Sequence, residues 1–336
     1  MSSSIARSEW VDSAKGIGIS LVVYGHVSRG VINSGIMENS MLFQYVDSVI
    51  YTFHMPLFFF LSGLFLLSSF NTKGFVKTSS SKLDSILYPY VLWSLLQGGV
   101  EVILSNYTNG NVTIGEVLGL FTSPRAQFWF LYALFLVFIV SLFALYLFGQ
   151  KVLPLLFLLS ALFYMLGSKV ELVVPLKYLS GCLVFFLMGA VFQKVNLIRF
   201  NSNFIAALLL VISAIAQYLF HEFGLTYNEK GGFLLFVSTI SLIAVISLSE
   251  RLSTLGFSIL GYLGSASMAI YLMHILAGSG IRVLLNKLLG IDSTAFHLIA
   301  GTAFGIILPL LALEFIKHYK IPYIFSFPLS RLLVRP

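Results

Sequence analysis

Ten separate stretches of this chain are apolar for long enough to cross a lipid bilayer as helices. A helix needs roughly 20 residues to span about 30 Å of hydrocarbon. The stretches are 11–30, 46–69, 84–105, 127–148, 152–168, 173–193, 203–220, 232–249, 257–279 and 295–316. Their apolar runs are continuous rather than alternating, which favours helices over barrel strands. The fifth is short, and Pro154 and Pro175 flank the fifth and sixth as a pair. Charged residues make up only 10% of the 336, against roughly 25% in a soluble domain. So few charges cannot cover a water-facing surface. The expected fold is an all-α, polytopic integral membrane protein with about ten transmembrane helices in one bundle. Residues 1–336 are expected to form one membrane domain with short tails.

The net charge is +7. In this setting the basic residues act as orientation signals in short loops. No basic helix or interleaved aromatic patch suggests nucleic acid. With the N-terminus inside, thirteen Lys and Arg fall on the cytoplasmic side and seven outside, so both termini are expected in the cytoplasm. The first apolar run carries Lys15 and His26 and lacks a small-residue cleavage pattern, so it is not expected to be a cleaved leader. The one cysteine, Cys182, excludes an internal disulfide framework and a Cys-based zinc site.

Ionisable residues inside spans are costly and point to function. The first span, WVDSAKGIGISLVVYGHV, places Asp12 and Lys15 three apart, as neighbours on one helix face. Lys15 and His26 are eleven apart. That is three turns plus about 20°, and about 16 Å along the axis. Both therefore point the same way at different depths, and this face can line a polar path. Snorkelling of Lys15 and a satisfied interhelical bond at His26 are the structural alternative. The second span, YTFHMPLFFFLSGLF, carries His54, then Pro56, which frees a carbonyl and favours a kink. Ser62 and Gly63 follow as a small pair suited to close helix packing. The ninth, GYLGSASMAIYLMHIL, carries His274. His26, His54 and His274 thus share a predicted depth in three spans. His221, in a loop, His297, near a span end, and His318, beyond the last span, carry less weight.

The segment SPRAQFWFLYAL opens the fourth span at the outer surface. Arg125 there can bind an anionic group and Trp129 can stack on a sugar ring; a surface arginine beside an interfacial aromatic is the plainer alternative. Lys73, Lys77 and Lys82 make the loop before the third span basic. They either attract the phosphates of a nucleotide-type donor or follow the positive-inside pattern, and the latter suffices from the residues alone. Phosphate-loop, nucleophile-elbow and His-Glu-x-x-His motifs are missing. The histidines lack ligand spacing and carboxylate partners, so no metal site is expected.

The strings WVDSAKGIGISLVVYGHV, FHMPLFFFLSG, FWFLYALF and SASMAIYLMH occur in the order of the marks of the acyltransferase-3 family. The chain resembles its fucose 4-O-acetylase-like, or polysaccharide O-acetyltransferase-like, branch over nearly its whole length. The resemblance implies a ten-helix core in the bacterial inner membrane, acetyl-CoA or another acyl-CoA as donor on the cytoplasmic side, and a carbohydrate acceptor. That acceptor is a polysaccharide repeat unit or a lipid-linked sugar. It further implies that Lys15 and His26 are the essential basic residue and catalytic histidine, and that His54, Ser62, Gly63, Trp129 and His274 are motif positions. Many members have arginine where Lys15 stands; lysine keeps the charge but loses the planar fork.

These features suggest a mechanism. His26 acts as general base toward the sugar hydroxyl. Asp12 holds Lys15, and Lys15 with the 73–82 segment favours CoA phosphates. His54 or His274 orients His26 or stabilises the oxyanion. A covalent acyl-histidine or acyl-serine intermediate is an open variant. The competing class is a transporter or flippase that uses its histidines as a proton relay.

Overall fold

The computed structural model describes residues 9–105, 112–167, 169–195 and 202–333. Among these residues all regular structure is helical. The helices are α1 (Glu9–Asn33), α2 (Met41–Gly63), α3 (Leu66–Lys82), α4 (Tyr88–Ile103), α5 (Ile114–Leu118), α6 (Trp129–Phe148), α7 (Leu153–Gly167), α8 (Val174–Val195), α9 (Asn203–Glu222), α10 (Gly232–Thr254), α11 (Ser258–Ser265), α12 (Ser267–Val283), α13 (Thr294–His318) and α14 (Leu329–Leu333). The protein is a polytopic, all-α membrane protein.

Each of the ten expected spans is matched by helix, but among the described residues eight helical stretches, not ten, are long and apolar enough to cross a membrane. The two that fall short are α1 and α2. Both have the length; α1 is diluted by Glu9, Asp12, Lys15, His26 and Arg29, and α2 by Gln44, Asp47 and His54. Three boundaries also differ. The expected span 46–69 divides between α2 and α3, and the span 257–279 divides at Ala266 between α11 and α12. The basic segment 73–82 is helical rather than a loop, with a break at Gly74 (φ 70°). His221 likewise sits on α9, not in a loop. Arg7, Arg199 and Arg335, counted among the inside charges, lie outside the described residues.

Backbone proximity sorts the chain into two compact units that alternate along the sequence. One takes the described residues of Met1–Gly18, Tyr45–Lys82 and Ala133–Ser265; the other takes those of Ile19–Gln44, Leu83–Tyr132 and Ala266–Pro336.

The first unit packs Val11, Leu57, Phe60, Leu61, Leu242 and Ile246 into an apolar core. Its α2 and α8 cross at van der Waals distance through glycines. A Cβ at Gly63 would lie 1.9 Å from the Phe186 carbonyl oxygen, and one at Gly189 would lie 2.0 Å from that of Phe60. This is the close approach that small residues permit. Helix α2 runs unbroken through Pro56. Proline has no N–H, so it leaves the Thr52 carbonyl without its helical donor. Ser238 Oγ of α10 donates to that carbonyl at 2.6 Å. Gln217 of α9 donates to the Thr52 hydroxyl at 2.6 Å and to Ser241 at 3.0 Å. The Thr52 carbonyl that Pro56 leaves open and the Gln217 amide N–H groups thus find their partners between helices.

The second unit is built around the later part of α1 with α12 and α13. A Cβ at Gly301 would meet Val27 Cγ1 at 2.6 Å, and one at Gly305 would meet Val23 Cγ1 at 2.7 Å. Glycine on α13 thus lets the two valines of α1 seat against it. The C-terminal segment folds back over the start of α4. Trp93 Nε1 donates to the Ile324 carbonyl at 2.9 Å, and the Ser330 N–H donates to the Asp84 carboxylate at 2.8 Å.

Candidate active site

Every residue of the main cavity belongs to the second unit. The cavity has a volume of about 510 Å³, within the usual range for small-molecule sites. His26, Arg29, Glu101, His274, Arg282 and His297 are the polar and charged side chains that matter on its wall.

The glycine seating of α1 on α13 and the packing of α12 against α13 bring the imidazoles of His26 and His274 together. Their ring centroids are 5.1 Å apart, tilted by 55°. His274 is fully buried. Its Nδ1 lies 2.8 Å from the Tyr271 carbonyl and 3.1 Å from that of Ile270. Carbonyls only accept, so Nδ1 carries the proton. In the neutral ring Nε2 is then an unprotonated lone pair, and among the described residues it has no hydrogen-bond partner. In this tautomer His274 accepts a proton but has nothing to donate to an oxyanion. His26 is only partly buried and faces the cavity, so it is the imidazole a substrate can touch.

A polar network stands behind Tyr271. Its hydroxyl donates to the Gln127 carbonyl at 2.5 Å. Gln127 and Gln97 exchange side-chain hydrogen bonds at 2.7 and 3.3 Å. Gln97 also donates to Glu101 at 2.8 Å. Arg125 completes the chain with a 2.8 Å contact to Glu101. Arg125, expected as an anion-binding arginine, already has a carboxylate. Trp129 opens α6 on the next turn, partly buried and edge-on to Phe130.

From the sequence His297 reads as a span-end residue and Arg282 as an outside charge, and Glu101 does not stand out. His297 is 1% exposed, with Nε2 donating to the Ile291 carbonyl at 2.7 Å. Glu101 was readable as a carboxylate at the end of an apolar run, one helical turn after Gln97. Its pairing with Arg125, far along the chain, was not.

The remaining expected site residues lie in the first unit. Lys15 Nζ is 3.6 Å from Asp12, the expected neighbour on α1. His54 is buried on α2, with Nδ1 2.7 Å from the Ile50 carbonyl and its ring edge-on to Tyr51. Ser62 is partly buried beside Gly63, which serves the α2–α8 crossing. Lys73 and Lys77 are exposed on α3, while Lys82 places its ammonium 4.1 Å from the Phe138 ring centre. Among the described residues no three His, Cys, Asp or Glu side chains cluster as a metal site.

The acyltransferase domain of the acyltransferase-3 family matches residues 8–314, nearly the whole chain. The chain belongs to the acyltransferase-3 family. Two relatives of this chain align in part. Nodulation protein NolL of Mesorhizobium japonicum is 31% identical over 133 residues, 38% of this chain and 34% of that protein. Nodulation protein NolL of Sinorhizobium fredii is 30% identical over 130 residues, 39% and 34% respectively. The chain thus spans about a third of the length of these relatives. No solved structure matches.

Proposed function

We propose that this acyltransferase moves an acetyl or larger acyl group from acyl-CoA to a hydroxyl of a cell-surface or lipid-linked carbohydrate, with His26 as general base. The observation that supports this reading is the His26–His274 pair on the wall of the cavity. A sugar hydroxyl is a poor nucleophile until its proton is removed, and a neutral imidazole has suitable basicity near pH 7. His26 takes the proton as the hydroxyl oxygen bonds to the thioester carbon. The tetrahedral intermediate collapses with cleavage of the C–S bond, and His26 returns the proton to the CoA sulfur.

His274 acts here as a positioning residue. Its ring lies 5.1 Å, centre to centre, from that of His26, and its Nε2 lone pair is suited to accept the N–H of the His26 imidazolium, a role that a carboxylate plays in Ser-His-Asp triads. Nothing in this assignment requires His274 to touch substrate. Lys15, steadied by Asp12, and the α3 lysines Lys73, Lys77 and Lys82 supply positive charge for the CoA phosphates. Trp129 offers an aromatic face to the sugar. The enzyme sits in the bacterial inner membrane with both termini in the cytoplasm, as the distribution of Lys and Arg favours.

The test is thiol release from acetyl-CoA by purified protein in nanodiscs, with the acceptor glycans of the source membranes. His26→Ala should abolish release while the protein remains inserted and folded. Normal acylation by that variant removes His26 from the mechanism. Solute movement without CoA release identifies a carrier instead.

A further inference from the structure

Arg282 sits in the last turn of α12 and is only 9% exposed. A guanidinium so buried is normally paired with a carboxylate. Among the described residues no carboxylate pairs with it. Glu101, on the same cavity wall, is committed to Arg125 and Gln97. Helix capping does not account for Arg282 either, because α12 runs directly into a further helical turn, Leu284–Leu288. Arg29 adds a second positive charge to the cavity. The backbone is cut to receive the Arg282 fork: a Cβ at Gly30 of α1 would lie 2.5 Å from Nη1.

We propose that Arg282, backed by Arg29 and admitted by Gly30, is a subsite for an oxyanion carried by the acceptor. The planar guanidinium fork matches the paired oxygens of a sugar carboxylate or a glycosyl phosphate. The position of the subsite sets where that charge must be. Arg282 follows His274 by eight residues on α12, about 12 Å along the axis, and Gly30 follows His26 by four on α1, about 6 Å. The anion therefore lies away from the hydroxyl being acylated, elsewhere on that sugar, on its neighbour or at the glycosyl linkage. This assignment rests on the acceptor being a carbohydrate.

The test uses the whole protein in nanodiscs and three probes: a glucuronate-terminated oligosaccharide, its carboxyl-reduced counterpart, and glucose 1-phosphate. Binding is read from ligand-dependent thermal stabilisation, and acyl transfer is measured in the same preparation. At least one anionic probe should bind more than about 10-fold tighter than the neutral one. Arg282→Gln should lose about 10- to 100-fold of that affinity, the range for a charge-assisted contact. Arg282→Lys should retain part of it. Gly30→Ala meets only the tip of a flexible side chain, so it should stay folded yet lose affinity by displacing the fork. Whichever anionic probe wins identifies carboxylate or phosphate as the source. Equal binding of charged and neutral probes, or full anion affinity in Arg282→Gln, overturns the subsite. Acyl transfer without anion selectivity leaves the transferase reading intact and removes the subsite. Selectivity without transfer does the reverse.

Discussion

Gly301→Ala tests whether the glycine seat of α1 sets the reacting geometry. A Cβ there would lie 2.6 Å from Val27 Cγ1, where ordinary contact begins near 3.4 Å. Something must give by about 0.8 Å. Valine is stiff at χ1, and the other Val27 methyl faces Gly278, where a Cβ would stand at 3.1 Å. The side chain cannot turn away, so α1 moves against α12 and α13 and carries the adjacent His26 with it. Misplacement by about 1 Å costs on the order of 100-fold in rate, so kcat should fall roughly 10- to 100-fold. Overpacking costs about 1–3 kcal/mol, and alanine's helix preference returns about 0.8–1 kcal/mol. The variant should stay folded, with a loss of about 2 kcal/mol at most. Adding Val27→Ala removes both crowding methyls and should bring turnover back to that of Val27→Ala alone. The assay is thiol release from acetyl-CoA in nanodiscs. Wild-type turnover in Gly301→Ala, or no recovery in the double variant, refutes the reasoning.

Other consequences are open to measurement. His274→Ala should lower kcat by about 10- to 100-fold, below the roughly 100- to 10,000-fold of a direct acid–base group because His274 only positions one, with little change in KM for acetyl-CoA; added imidazole should restore part of the rate, and equal loss in both constants without rescue argues for a purely structural histidine. Glu101→Gln leaves the Arg125 guanidinium unpaired in a half-buried site. Its cost should fall between the exposed and buried limits, about 1–3 kcal/mol, and Glu101→Gln/Arg125→Gln should recover part of it in thermal melts. Gly→Ala should change sign with location. Gly99 on α4 has open space and should gain up to about 1 kcal/mol, whereas Gly189 should lose about 1–3 kcal/mol against the Phe60 carbonyl. Cys182 is buried on α8 and is the chain's single thiol, so a thiol-reactive dye should report these melts with one label per unfolded chain.

The helices were readable because apolar runs of span length leave few alternatives in lipid. The exceptions are physical. Leu66–Lys82 is rich in Ser, Thr and Lys, so no apolar signal marked it as α3. The break at Ala266 falls inside an unbroken apolar run, which hides it. At the site, the matched depth of His26 and His274 in two spans anticipated their pairing. His54 entered the same depth argument, yet it sits in the other compact unit. Arg282 was hidden in the loop-charge count, as one of seven outside basic residues beside span ends. That no carboxylate among the described residues pairs with it is a three-dimensional fact. The same holds for Arg125, whose partner Glu101 is remote in sequence.

The alternation of the two units along the chain has a consequence for biogenesis. His26 leaves the ribosome with the first helix, but His274, Arg282 and the glycines of α13 follow only with the last ones. A nascent chain therefore carries an unassembled imidazole through most of its synthesis. The cavity is complete only after translation is nearly finished, and a chain stopped before α12 would insert helices yet lack the α12 and α13 side of that cavity's wall.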